Sequence, residues 1–157
     1  MNPAVALCAH LAGDALAALP VAPDDVLEWQ DGPIAAVVRC AACDGAGLLE
    51  LLDWGADGRL RVYALSGLDP AAFALYRRNL ARGSCDLARR QREHEALVAS
   101  AGPCERLVAR DAASGAVVRV VSWPADAPSP EGSWQERVGS GADAGWFARL
   151  GIPRAAS

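Results

Sequence analysis

The chain has 157 residues, of which 52 % are apolar and 22 % charged, with a net charge of −4. That length supports one hydrophobic core without help from disulfides or metal, burying roughly 70 % of the surface exposed in the unfolded chain. No apolar run approaches the ~20 residues of a membrane span, and the acidic balance argues against a general nucleic-acid binder.

Residues 3–19 are predicted as a helix with Leu7, Cys8, Leu11, Ala15, Leu16 and Leu19 on one side, stopped by Pro20. Ile34 to Cys40 reads as a strand. Leu48 to Trp54 is ambiguous, because Leu48, Leu51 and Leu52 fit a helix. Its short span between Gly47 and Gly55 favours a strand. Leu60, Val62 and Ala64 alternate along a third strand after the turn Gly55-Ala56-Asp57-Gly58. Asp69 and Pro70 open a helix as N-cap and first helical residue, and Gly83 ends it. Ser84 is placed to cap a second helix from Cys85 to Ser100. Leu107–Arg110 and Val117–Trp123 flank Asp111-Ala112-Ala113-Ser114-Gly115 and read as a β-hairpin.

These elements predict an α+β fold. It has an antiparallel sheet of about five strands, a three-stranded meander plus a C-terminal hairpin, packed by an αα-hairpin and the N-terminal helix. Residues 1–123 form that domain. From Pro124 the composition turns to Pro, Gly and Ser, so 124–157 is expected to be a tail or arm carrying a short aromatic segment around Trp146 and Phe147.

Cys40-Ala-Ala-Cys43 is the one motif with chemical specificity. Its spacing suits a metal knuckle or a dithiol redox pair. A structural zinc site takes four thiolate or imidazole ligands, and no second Cys-x-x-Cys is present. The other ligands must come from Cys8, His10, Cys85, His94 and Cys104. Cys85 and His94 lie about 13 Å apart along the predicted helix, so they are alternatives. Cys8 and His10 would point about 200° apart on a helix and are alternatives too. The ligand set chosen is Cys40, Cys43, Cys85 and Cys104, with zinc as the metal. The plain alternative is that these cysteines are small apolar residues near a turn.

A redox pair needs a lowered thiol pKa. Arg39 favours that, and Asp44 opposes it. Cys85, in the first turn of a predicted helix, is an outside candidate for a reactive thiol.

Arg77, Arg78, Arg82, Arg89, Arg90 and Arg92 cluster on the predicted helix hairpin. Such a patch suits phosphate, RNA or an acidic protein surface. All 15 basic residues are arginine, which reads as the codon bias of a GC-rich, bacterial-type genome. A solvated helix face is therefore the plainer account. Arg78, Arg82, Arg89 and Arg90, with Trp146, Phe147 and Leu150, are the candidate partner-binding residues. Trp29, Trp54 and Trp123 are the candidate surface onto which the aromatic segment folds back.

Without lysine there is no P-loop or Schiff-base chemistry, and no nucleophile elbow or dinucleotide fingerprint occurs. No basic segment precedes an apolar stretch at the start, the first arginine being Arg39. The expectation is a cytoplasmic protein with reduced thiols. It would be a non-enzymatic accessory or protein-interaction domain, with a protein partner or self-association, no membrane and no nucleic acid. Thiol redox chemistry at Cys40/Cys43 and phosphate or nucleic-acid binding through Arg77–Arg92 are the alternatives.

Overall fold

In a computed structural model of the chain, residues 5–12, 26–29, 33–55, 58–82, 86–130, 135–136 and 145–153 are described. Strand β4 (Leu60–Leu68) is buried at every position after the first. A strand covered on both faces has no need of strict polar alternation, so Val62 to Leu65 read as an unbroken apolar run. The same holds for β3 (Ala46–Trp54), which is why its leucines are compatible with either period. These two strands are the middle of a six-stranded antiparallel meander. On one side lie β2 (Pro33–Arg39) and β1 (Val26–Trp29); on the other lie β5 (Cys104–Asp111) and β6 (Val117–Ser122).

The sixth strand, beyond the five expected, is β1. It has four residues, and its pairing with β2 is irregular, with register shifts on either side of Glu28. So short a strand shows almost no periodicity in sequence. The C-terminal hairpin joins the meander in the same sheet, since β4 pairs with β5 from Leu60↔Asp111 to Ser66↔Cys104.

Alternation sends side chains to two faces. On the first, Ile34, Val38, Leu49, Leu51, Tyr63, Leu65 and Val108 form a cluster closed by Leu7 and Leu11. On the second, Val37, Leu48 and Leu68 pack against Phe73 and Leu97. Phe73 belongs to α2 (Pro70–Ala81) and Leu97 to α3 (Leu87–Ala99). Further along the same face, Leu52, Val62, Ala64, Leu107 and Ala109 pack against Trp146, Phe147 and Leu150.

Helix α2 begins as its sequence predicts, with the Asp69 carboxylate accepting from Ala71 N–H and Pro70 in the first turn. Helix α3 is capped by Asp86, which accepts from the N–H groups of Ala88 and Arg89. The predicted cap Ser84 lies outside the described residues. The expected helix over 3–19 is seen only as α1 (Ala9–Ala12); Val5 to Cys8 are not helical, and 13–19 lie outside the described residues. Within 124–157, α4 (Trp146–Arg149) follows Gly145. Its aromatic residues are part of the core, and Trp146 lies 5.2 Å from Trp123. Among the described residues no helix is long and apolar enough to cross a membrane.

Candidate metal centre

At one end of the sheet β2 runs out at Arg39, and the chain turns through Cys40–Gly45 into β3. The turn is closed by Cys40 N–H donating to the Gly45 carbonyl, 2.9 Å. Cys40 and Cys43 are thereby held at the lip of the first face, where Cys40 packs on the Leu7 and Leu11 cluster.

The segment 5–12 crosses that same lip. Three glycines make room for it. A Cβ on Gly67 would lie 2.5 Å from the Ala6 carbonyl carbon, and one on Gly47 would meet Leu7 Cδ2 at 3.1 Å. A Cβ on Gly45 would sit 2.9 Å from both Cβ and Sγ of Cys8. Gly47 and Gly67 face each other across β3 and β4. The backbone of Ala6 and Leu7 therefore lies where a side chain at Gly67 would stand on an ordinary strand pair.

The far side of the segment is tied down by charge-assisted hydrogen bonds. Leu7 N–H donates to Glu105 Oε2 at 2.6 Å, and Arg106 Nη2 donates to the Ala12 carbonyl. Arg106 Nη1 also donates to Ser122 Oγ at 2.6 Å, which fixes the guanidinium.

The outcome is a cluster of four ligands, Cys8, His10, Cys40 and Cys43, whose ligand atoms all lie within 4.8 Å of one another. Cys8 and Cys40 are half-buried and His10 is exposed. Each sulfur accepts a backbone N–H: Cys8 from Leu11 at 3.4 Å, Cys40 from Ala42 at 3.4 Å and Cys43 from Gly45 at 3.3 Å. At Cys40 and Cys43 the backbone donors favour thiolate over thiol. Desolvation pushes the Cys40 thiol up, but the Ala42 N–H and hydrogen bonds from Cys43 and Cys8 outweigh it, leaving Cys40 below its ordinary value. At Cys43 the Gly45 N–H lowers the thiol. The hydrogen bonds to Cys40 and Cys8 and the neighbouring Cys40 charge carry it above the ordinary value instead. Cys40 is thus the first of the two to ionise, with the others donating to it.

Three sulfurs and one imidazole match the donor set of structural zinc sites. Tetrahedral bonds of about 2.3 Å place ligand atoms about 3.8 Å apart. The cluster is therefore within about 1 Å of closure, which small side-chain rotations supply.

The structure brings Cys40 and Cys43 together, and with them both Cys8 and His10, which the sequence treats as alternatives. That reading assumes both are on one helix. Cys8 precedes α1, so the 100° step per residue does not relate the two side chains, and both reach the cluster. Of the other two chosen ligands, Cys85 lies outside the described residues. Cys104 starts β5 opposite Ser66 and packs with Leu107 and Trp146 on the second face, away from the cluster. The signal for the crossing segment is the pair Gly47 and Gly67, since glycines inside strands mark a close approach.

The partner-binding candidates divide. Arg78, Arg82, Arg89 and Arg90 are exposed, but the arginines do not form one patch. Arg89 pairs with Glu93 at 3.1 Å, Arg77 lies over the Phe73 ring, and Arg90 lines an open groove of about 770 Å³ with Tyr76 and His94. Trp146, Phe147 and Leu150 are buried in the chain's own core, with Trp123 as their receiving surface; Trp54 stacks with Arg61 instead.

Searched against protein-family models, curated proteins and solved structures, the chain matches none.

Proposed function

We propose that Cys8, His10, Cys40 and Cys43 hold one zinc ion in a closed structural site, within a non-enzymatic accessory domain. The observation that carries this reading is the convergence of four soft or borderline donors from two segments to within 4.8 Å. All four positions are filled by protein, as in structural rather than catalytic sites, which keep one open for water or substrate. Thiolate and imidazole together favour zinc over magnesium or calcium, which take oxygen ligands.

Magnitudes show what the ion would contribute. Ordering residues 5–12 costs about 8 kcal/mol at about 1 kcal/mol per residue. Burying Leu7 and Leu11 contributes about 4 kcal/mol, and the hydrogen bonds from Leu7 and Arg106 about 3 kcal/mol together. The segment is near balance by itself. Structural zinc, at roughly 10 kcal/mol or more, decides it.

The experiment is elemental mass spectrometry on protein purified without added zinc. The expected result is close to one zinc per chain, lost in Cys40→Ser. Protein that holds no zinc, even after reconstitution under reducing conditions, would overturn the reading.

A dithiol redox role is favoured by one observation, the lowered Cys40 thiol beside Cys43. It predicts zinc-free protein in which mild oxidant forms a Cys40–Cys43 disulfide, whereas zinc-loaded thiolates resist alkylation. The accessory role is supported by Leu75 and Leu87, 51 % and 77 % exposed among the arginines of α2 and α3. Phosphate or nucleic-acid binding has less support, because Arg77, Arg89 and Arg90 are directed to three different places.

A further inference from the structure

The ligands of the proposed site are divided between two parts of the chain that differ in what else holds them. Cys40 and Cys43 belong to the β2–β3 turn, whose strands pair continuously from Ala35↔Glu50 to Arg39↔Ala46. Cys8 and His10 belong to residues 5–12, which form no strand pairing and only one helical turn. That segment covers the first face of the sheet through Leu7 and Leu11. The strands beneath it are joined by ladders that do not involve it, and the second face has its own cover in α2, α3 and α4.

Resting on the zinc reading above, we propose that zinc occupancy and the docking of residues 5–12 are one coupled equilibrium, so that the ion works as a latch on a strap and not as the keystone of the fold. Loss of zinc releases the strap and uncovers Ile34, Val38, Leu49, Leu51 and Leu65, while the sheet and helices persist. Small zinc-dependent domains unfold entirely without metal because they lack a core of their own. Among the described residues there are three buried clusters, and one of them uses the strap.

Coupling between two events is reciprocal. A change that blocks docking must weaken zinc even where it touches no ligand. Gly67→Ala is that change: its Cβ would lie 2.5 Å from the Ala6 carbonyl carbon and 2.8 Å from Leu7 N, both backbone atoms that cannot rotate away.

The test is hydrogen–deuterium exchange on the full chain, zinc-loaded and chelated, with zinc content measured on the same samples. A zinc competition titration of Gly67→Ala and wild type accompanies it. On chelation, the amides of Leu7, Leu11 and Ala12 are expected to exchange about tenfold faster or more, with β3–β5 changed by less than about twofold. Zinc should return the protection. Gly67→Ala should bind zinc about tenfold more weakly or worse while keeping the wild-type circular dichroism. Zinc-loaded protein whose strap stays protected after chelation would overturn the latch and leave the zinc site standing. So would equal deprotection of strap and sheet, or unaltered affinity in a folded Gly67→Ala. Protein that binds no zinc would overturn both.

Discussion

One face of the sheet lies under α2 and α3, helices of 12 and 13 residues, and under α4. The other, around Leu49 and Leu65, lies under the eight residues 5–12. The helices form largely from their own neighbourhood: Asp69 and Asp86 cap them, and Arg89 pairs with Glu93 one turn on. The strap has almost no local reason for its shape. Its contacts come from Glu105, Arg106 and the Cys40–Cys43 turn, at sequence separations of up to 98. A cover made by local interactions is robust, and one made by a few distant ones can be switched.

The largest test of that contrast is ligand removal. Cys8→Ser should weaken zinc by about a hundredfold or more, because it removes a thiolate from a closed site. Helical circular dichroism from α2 and α3 should be retained. A parallel loss of helix would show that the two covers are not independent.

Next come two apolar truncations read by denaturant unfolding of zinc-loaded protein. Phe73→Ala, under the helix hairpin, should cost about 3–4 kcal/mol, and Leu11→Ala, under the strap, about 2–3 kcal/mol. Both side chains are buried, at 7 % and 1 % exposure. After chelation the Leu11→Ala cost should shrink towards zero while the Phe73→Ala cost stays. Equal persistence of both would break the comparison.

Asp86→Ala should destabilise by about 1 kcal/mol through loss of the α3 cap, with zinc affinity unmoved in a competition titration.

The smallest effect is on pH. The backbone N–H and hydroxyl of Ser114, with Ala113 N–H, hold the Asp111 carboxyl below its ordinary value in the β5–β6 turn. A lowered folded pKa gives stability that is fully present above the ordinary carboxylate range. That stability is lost as pH falls through the lowered value. Asp111→Asn should therefore flatten the acid limb of a Tm-against-pH curve slightly, and an unchanged limb would remove Asp111 from the account.

How much was readable follows the same division. β2 to β6 and α2 announce themselves by alternation, turns and caps. The reading of β3 needed length to decide it, because burial on both faces removes alternation. β1 leaves no mark in the sequence, because four residues with an irregular register carry no period. Ser84 and Asp86 both offer cap chemistry at the start of α3, and it is Asp86 that accepts from Ala88 and Arg89 N–H. At the candidate metal centre, Cys40 and Cys43 are a local motif and legible as one. The sequence makes Cys8 and His10 alternatives to each other because it applies a helical wheel across a residue that precedes the helix.

The sequence by itself determined an α+β chain with a Cys-x-x-Cys turn between β2 and β3, because turns, caps and strand periods are set within a few residues. Which cysteines gather beside that pair was decided only in three dimensions. The register irregularity at Glu105, where Leu65 pairs with Arg106 but Ser66 with Cys104, puts Cys104 on the second face with Trp146. Three glycines, distant in sequence from the strap, leave the hollow it fills: Gly67 for the Ala6–Leu7 backbone, Gly47 for the Leu7 side chain and Gly45 for the Cys8 side chain. Those are steric facts about where two distant segments cross, and no local pattern in either segment records them.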